Sequence, residues 1–410
     1  MRVLYVANVA DLYGASRSLL RLAGRMVSEG HEVEVILPED GPLRPKLEAA
    51  GVATRIDEDL AILRQRLIKT PGGLLRLAAR ALRSVLRLRR HILASRPDVV
   101  HTNSAVLLTS PMAAKLARRP HVLHVREFMA GVSWLWTLYQ WYLWLFSDQI
   151  LCISKAVSRQ FCPLLRRRKV SVLDNGIPAW EFQHAASEAG GEPAALPRRN
   201  GCVLVGVAGR IHLEQKGQDV FVRAAAQAAR EHPEAHFVIV GTPFPGNEEH
   251  ERRLRRLIHE LGIADRVTLA GEVAQMREVY AAVDLWVLPA RKPEGLGNVL
   301  IEAMAMGKPV IGSAIGGIPE IIDHGVNGVL VPPGDPRALA EAISLLLQDA
   351  ELRRRMGEAG RQKFYEKFEL ERCCRSILSL YESLLAAEQQ AGNPPGERSK
   401  DRSEVAASLP

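Results

Sequence analysis

A chain of 410 residues with 47% hydrophobic content and a mean hydropathy of −0.04 is long enough for two ordinary cores and too evenly mixed for a membrane-embedded protein. Its five cysteines, at 152, 162, 202, 373 and 374, have neither metal-ligand spacing nor an even count, which argues against a disulfide-stapled scaffold and predicts a reducing, cytoplasmic setting. The net charge of +8 belongs to the first half, where residues 1–190 carry 27 Lys and Arg against 16 Asp and Glu, while the remainder carries 27 against 30. That asymmetry suggests an N-terminal half that meets an anionic surface.

The opening Met1-Arg-Val-Leu-Tyr-Val-Ala leads into a polar loop, Asp11-Leu-Tyr13-Gly14, and an amphipathic helix, so it reads as a first strand and not as a signal peptide. Strands are expected at 3–7, 33–37, 98–101, 121–125, 149–153 and 170–173, alternating with helical patterns. A second series is expected at 203–208, 236–240, 266–270, 284–288, 309–312 and 328–331. Alternation twice over predicts two doubly wound parallel α/β domains, at 1–182 and 201–370. Residues 183–200, polar with Gly and Pro, read as a linker, 371–388 as a last helix, and 389–410 as a disordered tail.

Two segments extend the basic theme. Between Asp59 and Asp98 there is no acid and there are ten basic residues. Arg76, Arg80, Arg83, Arg87 and Arg90 recur at helical spacing, with Leu74, Ala78, Ala81, Val85, Leu88 and Ile92 opposite. Such a helix lies on anionic lipid or packs its apolar face on a sheet. From 134 to 146 comes an aromatic block holding Trp134, Trp136, Trp141 and Trp144. It is too short to span a bilayer, which takes about 20 apolar residues; it either meets the headgroup region or is packed inside. The block lacks interleaved Lys and Arg, so a nucleic-acid partner is not expected.

The candidate chemistry lies in the second half. Asp284-Leu-Trp-Val-Leu-Pro289 reads as a buried strand entering a loop, and Val299 to Gly307 as a helix with a glycine stop. Glu294 falls in the Gly-rich loop between them and Glu302 about a turn into the helix. Two carboxylates beside helix-terminal amides suit a phosphate-linked sugar, because the amides take an anion and a carboxylate accepts bonds from adjacent hydroxyls. Arg210 leaves the end of another strand, and Lys216 follows six residues on. Two cations there can neutralise a diphosphate, Arg as a fork and Lys as a point charge.

From Gly209 to Gly334 the chain resembles the family 4 retaining glycosyltransferases. Glu294 and Glu302 match that family's E-x7-E motif, Arg210 and Lys216 its phosphate-binding pair, and Gly316-Gly317-Ile-Pro-Glu320 its closing segment. More loosely, Gly30-His-Glu-Val-Glu-Val35 and Pro120-His-Val-Leu-His124 match its N-terminal half. The resemblance implies a GT-B architecture, two Rossmann-like domains with a cleft between them and a last helix returning to the first domain. It implies a nucleotide-diphosphate sugar as donor, contacted by Glu294 at the sugar and Glu302 at the ribose. Gly14, Arg210, Lys216 and the amides of Gly295, Leu296, Gly297, Asn298 and Val299 would hold the phosphates, with no metal and no cofactor. His124 would bond donor sugar or acceptor, and His101 and Asn103 are weaker acceptor-side candidates. The family often has paired glycines in the first loop; here Tyr13 replaces one, and would narrow the pocket or stack on the acceptor. Asp57-Glu-Asp59 spells the D-x-D of metal-dependent glycosyltransferases, but in the wrong half. The expected acceptor is a lipid-linked glycan reached from the inner face of the membrane. The alternatives are a soluble acceptor, or a nucleotide-sugar epimerase or hydrolase on the same fold. A dinucleotide-binding dehydrogenase is disfavoured, since neither first loop carries G-x-G-x-x-G.

Overall fold

The computed structural model describes residues 1–63, 71–129, 133–183, 196, 201–273 and 275–392. Its framework is two all-parallel sheets. The first has seven strands in the order β3-β2-β1-β4-β5-β6-β7: β1 (Arg2–Val6), β2 (Glu32–Leu37), β3 (Ala53–Ile56), β4 (Val99–Thr102), β5 (His121–Val125), β6 (Gln149–Cys152) and β7 (Val170–Val172). The second has six in the order β10-β9-β8-β11-β12-β13: β8 (Val203–Ala208), β9 (Ala235–Val240), β10 (Val267–Gly271), β11 (Leu285–Leu288), β12 (Val310–Ser313) and β13 (Gly328–Val331). Central strands such as β5 and β9 are buried at every residue, as expected of parallel strands covered by helices on both faces.

The strand order reverses between β1 and β4 in one sheet and between β8 and β11 in the other. At such a point successive connections leave on opposite faces and a crevice opens at the carboxyl ends of the strands. Arg210 follows β8 and Glu294 follows β11, so residues 84 apart in sequence are brought to one crevice by topology alone.

Every expected strand is present to within a residue or two. The strand that patterning missed is β3, a four-residue edge strand of alternating half-buried and exposed residues with no apolar run to mark it. The last helix runs Leu370–Gly392, so the 389–410 tail expectation is corrected: residues 389–392 continue the helix, as the helix formers Gln389, Gln390 and Ala391 favour. Residues 393–410 and, apart from residue 196, the stretch 184–200 lie outside the described residues, so the expected linker and the rest of the tail go without a structural account. The last helix packs on the first sheet. The Tyr381 hydroxyl lies 3.1 Å from that of Tyr5 and 2.6 Å from His101 Nδ1. Ile177 and Leu370 exchange backbone bonds with the crossing segment, Ile177 donating to the Phe368 carbonyl and Leu370 to that of Ile177.

Candidate active site

Two loops of the second sheet are locked together before any side chain is considered. Arg291 and Lys292 donate backbone N–H groups to the Gln215 carbonyl, tying the exit of β11 to the connection after β8. Gly217 sits in the left-handed region (φ 72°), and a Cβ there would overlap the Pro289 carbonyl oxygen. On the other side Gly316 (φ 63°) lies so close that its Cβ would be 2.6 Å from the Glu294 nitrogen, and Gly317 donates its N–H to the Glu294 carbonyl at 2.8 Å. The Glu294 loop is thus braced from both flanks by backbone.

Of the four predicted residues, Lys216 and Glu294 touch each other, while Arg210 and Glu302 meet other partners. Lys216 Nζ donates to Glu294 Oε2 at 2.8 Å, with the carboxylate only 12% exposed. Arg210 donates to Asp11 Oδ2 at 3.0 Å, and its guanidinium is held between the rings of Tyr13 and Phe244, 3.2 and 3.0 Å from their centroids. Burial lowers the Arg210 pKa, against the pull of Tyr13 and Asp11, though an Arg stays charged at neutral pH. Tyr13 therefore makes a contact that its sequence position did not reveal: it stacks on the Arg210 guanidinium. Gly14 lies against the Asn298 side chain, Gly295 against the Arg126 backbone, and Leu296 is buried. The helix Asn298–Ala305 starts after Gly297, with Val299 in its first turn, and its Glu302 is buried. Glu302 accepts from Arg21 at 3.1 Å on one oxygen and from the Tyr280 hydroxyl at 2.7 Å on the other. Beside it opens a cleft of about 940 Å³, lined in part by Arg17, Arg21, Met276, Arg277, Tyr280 and Glu302. It reaches Glu302 but not Arg210 or Lys216, which lie under Tyr13 and Phe244 or against Glu294.

On the first-sheet side, His124, the penultimate residue of β5, is buried 5.4 Å from the His101 ring. Burial, reinforced by Arg126, holds both imidazoles well below the ordinary histidine range, so both are neutral near pH 7. His101 uses Nδ1 on Tyr381; Asn103 accepts from Arg126 Nε at 3.0 Å and donates to the Ala15 carbonyl. Arg126 itself was not singled out from sequence. It also donates to Asn175, and burial lowers its pKa to about 10. A charged residue directly after a central strand, in His-Val-Leu-His-Val-Arg126, was the available signal. Asp11, Arg21, Phe244 and Tyr280 were missed because only the fold brings them to the cleft.

Contacts cross between the two halves throughout. Besides the Asp11–Arg210 and Arg21–Glu302 pairs, Asn175 donates to Asn298 at 3.0 Å, and the Lys155 and Ala156 amides each donate to the Glu320 carboxylate at 2.8 Å. Within this closed arrangement Arg210 NH1, Glu294 Oε1 and His124 Nε2 are shielded from water and have no hydrogen-bond partner.

The expected membrane-facing residues divide. Trp136 is corrected: its ring packs on Phe161 and its indole N–H donates to the Gln160 carbonyl, which makes it part of the core edge. Trp144 is also half-buried, with Lys169 over its ring, whereas Trp141 is 56% exposed. The Trp134 side chain lies outside the described residues. On the basic helix, Pro71–Ser95, Val85, Leu88 and Ile92 face the core, so the packing alternative holds for that face. Arg76, Arg80, Arg83, Arg87 and Arg90 are exposed, but Arg87 pairs with Asp57 and Asp59, and Arg80 with the Glu58 carbonyl. Among the described residues no helix is long and apolar enough to cross a membrane.

Residues 13–180 match the family described as Glycosyltransferase Family 4, and residues 193–363 that described as Glycosyl transferases group 1. Together with two doubly wound sheets facing one cleft, the matches define the class: this chain is a GT-B glycosyltransferase, and it belongs to family 4. The N-acetyl-alpha-D-glucosaminyl L-malate synthase of Bacillus anthracis is 43% identical over 129 residues, 32% of each chain. The lipopolysaccharide core biosynthesis mannosyltransferase LpcC of Rhizobium leguminosarum is 34% identical over 216 residues, 52% of this chain and 60% of that one. The matches thus span about a third of the first relative and 60% of the second. The solved structure of Anabaena Alr3699/HepE in complex with UDP superposes with a TM-score of 0.77 at 22% identity, covering 93% of this chain and all of that one, a likeness of fold.

Proposed function

We propose that this enzyme moves a sugar from a nucleoside-diphosphate donor to an acceptor hydroxyl with retention of anomeric configuration. The observation that carries the reading is a set of buried, unmet polar atoms on residues near the carboxyl ends of strands in the two sheets: a guanidinium donor on Arg210, a carboxylate acceptor on Glu294 and an imidazole nitrogen on His124. Buried groups of this kind are normally paired, and a ligand bearing both phosphate and hydroxyl groups would satisfy all three. A UDP complex of a protein with the same fold and a sugar-transferring relative support a nucleotide-sugar donor.

In this reading the donor diphosphate draws Arg210 from Asp11 and Lys216 from Glu294. As the bond from the anomeric carbon to the β-phosphate oxygen breaks, charge grows on that oxygen, and the two cations with the 295–299 amides stabilise it. The acceptor oxygen bonds to the anomeric carbon on the same face, and its proton passes to the departing phosphate. Glu294 and neutral His124 orient sugar hydroxyls, and Glu302 takes those of the ribose. Arg210 and Lys216 supply the positive charge, so the reading needs no metal.

The acceptor proposed is a lipid-linked glycan of surface polysaccharide or glycolipid synthesis, met at the cytoplasmic face of the membrane. The first domain supports this with an exposed face. Leu138, Trp141 and Leu145 stand out one turn apart, and Leu164, Arg166, Arg167 and Arg168 are exposed on the segment whose Lys169 donates to the Trp144 carbonyl near the end of that helix.

The test is incubation with radiolabelled UDP-, GDP- and ADP-sugars plus a membrane extract. One donor should label lipid, and Arg210→Ala and Lys216→Ala should each lower the rate by about 10²–10³ without unfolding. Full activity in either variant would sink the donor site, an inverted product would remove retention, and label confined to water-soluble product would remove the lipid acceptor.

A further inference from the structure

Behind the phosphate pair, His212, Glu214 and His250 bring three metal-type donors together. His212 and Glu214 lie in the connection from Arg210 to Lys216, and His250 in the first turn of the Glu249–Glu260 helix. The two imidazole rings face each other at 4.5 Å with a 30° tilt. His250 Nδ1 is 3.2 Å and His212 Nδ1 3.8 Å from the same oxygen, Glu214 Oε2. Both nitrogens are shielded from solvent, and neither makes a hydrogen bond. The other oxygen, Glu214 Oε1, accepts from Arg253 at 2.7 Å, which fixes the carboxylate and leaves Oε2 turned to the rings.

Stacked imidazoles converging on one carboxylate oxygen without in-line N–H donation gain little from each other. They gain much from a cation between them. Zinc bonds of about 2.0–2.2 Å to nitrogen and oxygen place tetrahedral donors roughly 3.3 Å apart, and the three donor atoms already lie within 4.8 Å of one another. Two imidazoles and one carboxylate suit zinc-type ions better than Mg²⁺, which favours all-oxygen sets. We propose that His212 Nδ1, His250 Nδ1 and Glu214 Oε2 bind one divalent zinc-type ion, with water completing the shell. The ion clips the Arg210–Lys216 connection to the Glu249–Glu260 helix. Its part is to hold the backbone from which both phosphate-site cations project, and it takes no part in bond-making.

The full-length protein, stripped with chelator, is titrated calorimetrically with Zn²⁺ and with Mg²⁺ as control, and with Co²⁺ followed by visible absorption. No nucleotide or sugar is present, so the result stands apart from the transferase reading. One equivalent of Zn²⁺ should bind, and Co²⁺ should give tetrahedral-type bands. His250→Gln, on the surface helix, and His212→Ala should each weaken binding by more than the about 10–100-fold that loss of a mere supporting partner costs. Cys162→Ser removes the exposed thiol as a competing ligand and should change nothing. Circular dichroism reports whether each variant is folded. Absence of Zn²⁺ binding by the native chain, unchanged affinity in folded His250→Gln, or loss of the site in Cys162→Ser would overturn the proposal.

Discussion

Arg21, on the first helix of the N-terminal domain, donates across the cleft to Glu302 at 3.1 Å, and the same nitrogen donates to Glu181 at 2.5 Å. One guanidinium, 7% exposed, thus neutralises two carboxylates. The residue proposed to read the ribose therefore also ties the two domains together.

Arg21→Ala leaves Glu302 and Glu181 close together without their cation. Removing one member of a buried pair costs about 3–5 kcal/mol, and opening of the cleft relieves part of it. A stability loss of roughly 3 kcal/mol in urea unfolding is expected, with a larger radius of gyration by small-angle scattering. A variant as stable and as compact as the native chain would show that the pair is not formed in solution.

Gly316→Ala tests the bracing of the Glu294 loop. Its left-handed backbone disfavours a side chain, and the added Cβ meets the Glu294 backbone. The loop must shift, and a displacement of about 1 Å at a reacting group can cost 10²-fold in rate. Turnover should fall by roughly that factor, with the unfolding midpoint little changed, since the turn is peripheral to the core. Equal losses of stability and activity would show general disruption instead.

The architecture was legible because parallel strands buried on both faces leave long apolar runs, and Val203–Ala208 or His121–Val125 could hardly be anything else. The placement of Arg210, Lys216 and Glu294 in strand-to-helix connections, and of Glu302 within the following helix, was legible because strand, loop and helix follow one another over a few contiguous residues. The roles of Asp11, Arg21 and Tyr280 were not, since each depends on contact between elements far apart in the chain. The same holds for His250, which lies 36 residues beyond Glu214 and joins it only through the packing of a helix. Tyr13 shows the other limit: the sequence placed a ring in the first loop, but its contact with the Arg210 guanidinium came only from the folded geometry.

Membrane docking is sharpened by which side chains stay free. The helices Pro71–Ser95, Ser110–Leu116 and Ser133–Phe146 lie side by side, exposing Leu82, Leu86, Leu116, Leu138, Trp141 and Leu145. Arg83 and Arg90 are exposed on the same group, whereas Arg87 is held by Asp57 and Asp59. A basic residue near anionic lipid contributes about 1 kcal/mol. Flotation with phosphatidylglycerol vesicles should therefore show binding at low salt, weakened by 1 M salt, where screening acts within roughly 3 Å. Trp141→Ala with Leu145→Ala should weaken it at every salt concentration, and Arg166, Arg167 and Arg168 all→Glu should abolish it. No binding by the native chain at low salt would make the acceptor a soluble one.

Three histidines make the fold acid-sensitive. His101, His121 and His124 are fully buried, and burial holds His101 and His124 well below the ordinary range and His121 down to about 3. All three are neutral when folded at pH 5, but in the unfolded chain each takes up a proton below about 6.5. The unfolded state then binds more protons, so stability rises with pH in this window and is lost as pH falls through it. Each such group contributes a slope of about 1.4 kcal/mol per pH unit once the unfolded form is protonated. Urea unfolding at pH 7, 6 and 5 should show a clear loss of stability in the first step and a loss roughly twice as large in the second. His121→Gln, which can keep a bond to Thr102 or Ser147 in place of those the ring makes, should flatten the second step by about one group's share. A slope identical to the native chain's in that variant would show that the acid sensitivity comes from other groups.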